Sequence, residues 1–76
     1  MSVKQKIDAR GAFCPGPLME LIRGMKTLPV GGTLAVLSSD PGSLKDIPAW
    51  IAKAGHELVA TEQREGYTRF VARKAR

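Results

Sequence analysis

The chain is short of the residues that staple or metallate a small protein. It has 76 residues with one cysteine and one histidine. A single cysteine excludes an intramolecular disulfide, and with one histidine it also excludes a closed structural zinc site. With no resolving thiol, a group loaded on the sulfur cannot be expelled by internal disulfide formation, which argues against a thioredoxin-like oxidoreductase. Aromatics are few: Phe13, Trp50, Tyr67 and Phe70. They form no aromatic-basic stripe, which disfavours direct nucleic-acid binding by stacking. No apolar run approaches membrane-spanning length, and no charged-then-apolar leader opens the chain, so no membrane partner is expected. The expected compartment is cytoplasmic, where a free thiol stays reduced. Internal repeats, low-complexity segments and linkers are also missing.

A chain of this length reads as a single domain, 1–76, burying only about 60% of its extended surface, so its core is modest. Twelve Lys and Arg face seven Asp and Glu, a net charge of +5. The excess lies early (Lys4, Lys6, Arg10) and late (Arg64, Arg69, Arg73, Lys74, Arg76), and 31–55 is balanced. Such a surface either meets an anionic partner or is simply solvated.

Apolar and polar residues alternate from Val3 to Ala9, which predicts a first strand ended by Gly11. Leu18, Leu21, Ile22, Met25 and Leu28 recur at helical spacing, which predicts a helix over Pro15–Leu28. Thr33–Ser38 is nearly all apolar and suits a strand buried between neighbours. Ser39-Asp40-Pro41-Gly42 is turn chemistry. A second helix follows, with Leu44, Ile47, Ile51 and Ala54 on its inner face and Gly55 as terminator. Ser43, Asp40 or Asp46 is expected to cap it, and Pro48 either kinks it or marks its true first turn. His56–Gln63 and Tyr67–Lys74 read as strands joined by a short hairpin. The order β-α-β-α-β-β predicts an α/β fold, a two-layer sandwich with a four-stranded mixed sheet and two helices on one face. Right-handed crossovers make strands one to three parallel, with strand four antiparallel to strand three. Ligands of open sheets gather at the carboxyl ends of parallel strands. That end is expected to hold Arg10 to Cys14, Ser38 to Gly42 and the Arg64–Gly66 loop, with His56 at the opposite end.

Cys14 stands between a strand and a helix, inside Cys14-Pro15-Gly16-Pro17. A helix N-terminus carries free N–H groups and about half a positive charge, which favours the thiolate. Pro15 suits the first helical position. The two prolines leave the amides of Gly16 and Leu18 as the nearest donors, and Gly16 lets another molecule approach the sulfur. Arg10, if aimed at the sulfur, adds to the same effect. Asp8 either hydrogen-bonds the Cys14 loop or faces solvent. Asp40 and Asp46 read as shared-edge acids or as helix caps, and His56 as a polar strand-end residue. Trp50 and Met19 are expected beside the active edge as exposed docking residues.

Residues Ile7 to Leu18, with Asp8-Ala9-Arg10-Gly11 leading into Cys14-Pro15-Gly16-Pro17, resemble the signature of the TusA/SirA-like family. Asp40-Pro41, Asp46-Ile47-Pro48-Ala49-Trp50 and His56-Glu57-Leu58 resemble its later segments. The resemblance covers about Ile7 to Lys74. It implies a two-layer α/β sandwich and a cysteine that carries sulfur as a persulfide. Cys14 takes that role, with Pro15 and Pro17 shaping its loop. It also implies a protein sulfur donor, a cysteine desulfurase or rhodanese-like enzyme, and a protein acceptor. The routes are tRNA thiolation, molybdenum-cofactor synthesis and sulfur oxidation. Ser39 stands where some members have an acid. No cofactor and no metal are expected, and a monomer is. Arg10, Phe13, Met19 and Arg23 form an apolar-plus-basic surface suited to partner docking. Two other classes remain open: a basic binding module with no chemistry at Cys14, and a thiol-based regulator.

Overall fold

The apolar periodicities become two helices packed on one face of a sheet. The computed structural model describes residues 4–13 and 16–76. The elements are β1 (Gln5–Asp8), α1 (Gly16–Thr27), β2 (Thr33–Ser38), α2 (Ser43–Lys53), β3 (Glu57–Arg64) and β4 (Tyr67–Arg73). The sheet order is β1-β2-β4-β3. β1 and β2 are parallel, and β4 is antiparallel to both β2 and β3. Strands β1, β2 and β3 therefore run the same way, as expected. β3 does not lie beside β2, however, because β4 fills the place between them and buries Phe70 and Ala72. A long crossover can skip a strand position, and the hairpin at Glu65–Gly66 then folds β4 back into the gap. Gly66 takes a φ of 83° to close that turn.

Leu21 and Met25 of α1 and Ile47 and Ile51 of α2 meet Leu34, Val36, Phe70 and Ala72. Each large side chain so buried contributes about 1.5–3 kcal/mol of transfer free energy. Gly24 lets α1 sit down on β1: a Cβ there would stand 2.8 Å from Ile7 Cδ1. The inner face of α2 is phased on Ile47 and Ile51, four residues apart. Ser43 falls on the same stripe and is buried. Leu44 falls beside it and is exposed, and Ala54 is half-buried just beyond the helix, so neither joins the core. Among the described residues no side chain caps α2. Gly42 is the N-cap residue, Asp46 sits in the first turn, and Pro48 is accommodated inside the helix.

All six residues of β2 are buried, although the helices cover only one face. Leu34 and Val36 face the helices. Ala35 and Leu37 face away, flanked in register by Lys6 and Val71, and by Asp8 and Arg69. The long stems of Lys6 and Arg69 lie beside Ala35 and Leu37 on the central strand, so the open face carries charge over apolar residues.

Candidate functional site

The carboxyl ends of β1, β2 and β3, at Asp8, Ser38 and Arg64, lie at one end of the sheet because the three strands share a direction. Cys14 and Pro15 lie outside the described residues. Their neighbours on both sides belong to this end: Phe13 in the loop after β1 and Gly16 at the start of α1. The Gly16 amide donates to the Phe13 carbonyl at 2.7 Å, so that amide, expected to be free for the sulfur, is already used. The missing Cβ of Gly16 also makes room within the chain, since one there would approach Ala12 Cβ to 3.3 Å. Pro17 is buried.

Arg10 is paired with Asp8. Its Nε and Nη2 donate to the two carboxylate oxygens of Asp8 at 2.8 and 2.7 Å, and its backbone amide donates to Asp8 Oδ1 at 3.2 Å. The guanidinium also lies 4.9 Å from the centre of the Tyr67 ring. The hydrogen bonds from the Arg10 side chain, then its backbone amide, hold the Asp8 carboxyl down at about 2. Such a bidentate pair fixes orientation as well as charge. Beside it, the Gly11 amide donates to Ser39 Oγ at 2.8 Å, tying the start of the Cys14 loop to the β2–α2 connection. Ser38 Oγ, buried, donates to Ser43 Oγ at 2.8 Å and accepts from the Asp40 amide at 3.2 Å.

The β2–α2 connection and the β3–β4 hairpin enclose a cleft of about 240 Å³. Asp40 and Leu44 line one wall, and Arg64, Gly66 and Tyr67 line the other. Asp40 and the hairpin thus share one end of the sheet, and Asp46 is exposed in the first turn of α2 at the same end. Phe13 and Met19 are 80% and 53% exposed, and Leu44 adds a third exposed apolar residue. Arg23 is exposed on α1, within 3.7 Å of Glu20. Sequence reasoning missed Tyr67, although its place directly after a hairpin that returns to the strand ends was the available signal. It also missed the contact from Ser39 to Gly11, which nothing in the sequence marks.

The opposite end holds His56, as expected, and also Trp50, which was expected beside the active loop. Trp50 is half-buried against the core, its ring 5.7 Å from the His56 ring. The reason is that α2 runs away from the active end, and Trp50 stands near its far terminus. His56 Nδ1 accepts from the Ala75 amide at 3.1 Å, and burial, then Lys74 and Arg76, lower its pKa. Among the described residues no group of three or more His, Asp or Glu converges on a metal position. Among them, too, no helix is long and apolar enough to cross a membrane.

Comparison with known proteins gives the same grouping. Residues 5–74 match the model of the family described as sulfurtransferase TusA. A protein of Archaeoglobus fulgidus whose given name proposes a sulfur carrier is 56% identical over 68 residues, covering 90% of this chain and 93% of the relative. The sulfur carrier protein TusA of Pseudomonas syringae pv. syringae is 42% identical over 74 residues, covering 97% of this chain and 88% of the relative. The crystal structure of a SirA-like protein from Desulfitobacterium hafniense superposes with a TM-score of 0.81 at 20% identity, over 95% of this chain and 99% of that one, and shows the shared fold. The chain belongs to the TusA sulfurtransferase family.

Proposed function

We propose that this protein is a sulfur carrier that accepts sulfane sulfur on Cys14 as a persulfide and passes it to an acceptor protein. The observation that carries this reading is the family match over 5–74, which spans the one thiol of the chain. Relatives bearing the sulfur carrier name support the role in general terms. In the loading step the Cys14 thiolate attacks the outer sulfur of a donor persulfide. The new S–S bond forms as the donor's own S–S bond breaks, and the donor leaves as its thiolate. No oxidant is consumed. Transfer to the acceptor repeats the exchange in the other direction, so thiolate fraction and access set the rates.

Donor and acceptor are recognised as proteins, since the cleft at this end is small and open. Phe13, Met19 and Leu44 supply exposed apolar area on three separate segments of one end. Arg23 supplies a cation tied only by a long contact to Glu20. Arg10 acts differently: with its charge paired to Asp8, it shapes the loop base rather than serving as an unpaired charge. The protein acts as a monomer in this scheme. Incubation with a cysteine desulfurase and cysteine, or with thiosulfate, tests the reading. Mass spectrometry should show a gain of one or more sulfur atoms, located on Cys14 and removed by dithiothreitol. Label on Cys14→Ser protein would sink it. Charge reversal at Arg23 should slow loading by the enzyme and leave loading by thiosulfate unaffected. Equal impairment of both would remove the docking role.

A further inference from the structure

At the end of the sheet remote from the Cys14 loop lies a second cleft, also of about 240 Å³. Its floor is apolar: Ile22 and Met25 from α1, Trp50 from α2 and Ala54 just past it. Its rim is basic: Lys26, Lys74 and Arg76, with His56 against the Trp50 ring. No described aspartate or glutamate forms an ion pair with any of these three cations. Among the described residues the one acidic side chain at this end, Glu57, is taken by Arg73. Asp40, Asp46 and Glu65 all stand at the opposite end, at the start of α2 and on the hairpin. Charge is thus segregated along the strand direction.

Helix termini account for part of this pattern. Both helices end here, and each carries about half a negative charge at its carboxyl end. Lys74 Nζ donates to the Leu28 carbonyl at 2.9 Å, just past α1, and the Arg76 guanidinium lies against Gly55, just past α2. Yet two half-charges offset only about one of the cations gathered here, which include Lys4, Lys26, Lys53, Lys74 and Arg76. The remaining field is positive and surrounds an apolar floor.

We infer that this far cleft docks an acidic segment of a partner protein, seating an apolar side chain on Trp50 and its carboxylates on Lys26, Lys74 and Arg76. Charge complementarity selects that occupant. A second copy would meet this end either with the same cations or against the repulsion of two chains that each carry a net charge of +5. Single-stranded RNA needs exposed rings in series, whereas here one half-buried tryptophan is packed on one histidine. Held by this end, the protein leaves the Cys14 loop open to a different protein. The purpose rests on the carrier reading, but the binding does not involve the thiol.

Trp50 is the only tryptophan, so its fluorescence reports the site directly. The probes are a short capped peptide alternating Glu and Leu, the same peptide with Lys for Glu, the same with Ser for Leu, and an oligouridylate. The Glu–Leu peptide should shift Trp50 emission saturably, and the Lys26→Glu/Arg76→Glu double variant should weaken it roughly tenfold. Lys26→Gln, which spares the Arg76 contact with Gly55, should weaken it less, and circular dichroism melts check that each variant folds. Cys14→Ser protein should bind normally, which separates this result from the fate of the carrier reading. A saturable response that is missing, or unchanged in the folded variants, overturns the inference. So does equal binding of the Glu–Ser peptide, the Lys–Leu peptide or the RNA.

Discussion

The two ends of the sheet are built by opposite rules. At the end where Phe13 and Gly16 flank Cys14, side chains make local polar contacts, Asp8 to Arg10 and Ser38 to Ser43, and the Gly11 amide reaches Ser39 on a separate segment. At the other end the residues after β4 are tied to distant segments by side chain and main chain alike: Lys74 Nζ donates to the Leu28 carbonyl and the Ala75 amide to His56 Nδ1. The Gly31 amide donates to the Lys74 carbonyl at 2.7 Å, and the Lys74 amide to the Gly32 carbonyl at 2.9 Å. The first end carries acids, serines and exposed Phe13 and Met19. The second carries cations around a half-buried tryptophan. The difference follows from direction: loops leaving parallel strands meet helix amino ends, which favour anions, and the far loops meet helix carboxyl ends, which favour cations. Chemistry on a thiolate suits the first environment, and an acidic partner suits the second.

The strongest way to break this contrast is to exchange single residues at each end. Cys14→Ser should abolish sulfur loading from thiosulfate completely. Val30→Ser, in the exposed turn at the far end, should leave it at the wild-type level by the same mass measurement. A loading defect in the Val30 variant would show that the ends are not independent.

Stability should divide in the same way. Ser43→Ala deprives buried Ser38 of a partner and should cost about 1–3 kcal/mol in urea unfolding. Val30→Ser should stay within about 0.5 kcal/mol. Equal losses would mean that the Ser38–Ser43 bond does not anchor the α2 start.

Asp8→Asn sharpens the role of Arg10 by leaving its charge unmatched. The Cys14 thiol should titrate below the ordinary thiol value of about 8.5 in wild-type protein, and lower still in this variant. Alkylation rate against pH measures both. A value unchanged by the substitution would show that Arg10 acts only on the loop base.

Acid should separate the ends by a smaller effect, since both titrating groups are largely solvated. The His56 pKa is held below its ordinary 6.5, so the neutral ring is favoured in the folded state. Its contribution is full above pH 6.5 and is lost as pH falls through the folded value. The Asp8 carboxyl is lowered from 3.8 to about 2, so its contribution is full above 3.8 and is lost only as pH falls toward 2. Trp50 fluorescence and the urea midpoint should therefore change first on acidification, while the carboxyl resonance of Asp8 stays unmoved until much lower pH. His56→Gln should flatten the first change and spare the second. Simultaneous changes would refute independent titration.

Local pattern was sufficient for the element order and for β2, whose limits at Thr33 and Ser38 follow from an apolar run between Gly-Gly and Asp-Pro. It also determined which loops share an end, because three strands of one direction leave no other arrangement. Met19 was legible as exposed because it falls off the apolar stripe of α1. Other features are decided only by packing at long range. β4 enters between β2 and β3 because that position buries Phe70 and Ala72, a choice no local periodicity encodes. Ser43 turns inward and Leu44 outward because α2 is phased by its contacts with the sheet. Arg10 closes on Asp8 and Tyr67 once β4 brings Tyr67 beside the β1 terminus. The basic cleft around Trp50 likewise exists only when α1, α2 and the residues after β4 converge, since its cations are spread from position 26 to position 76.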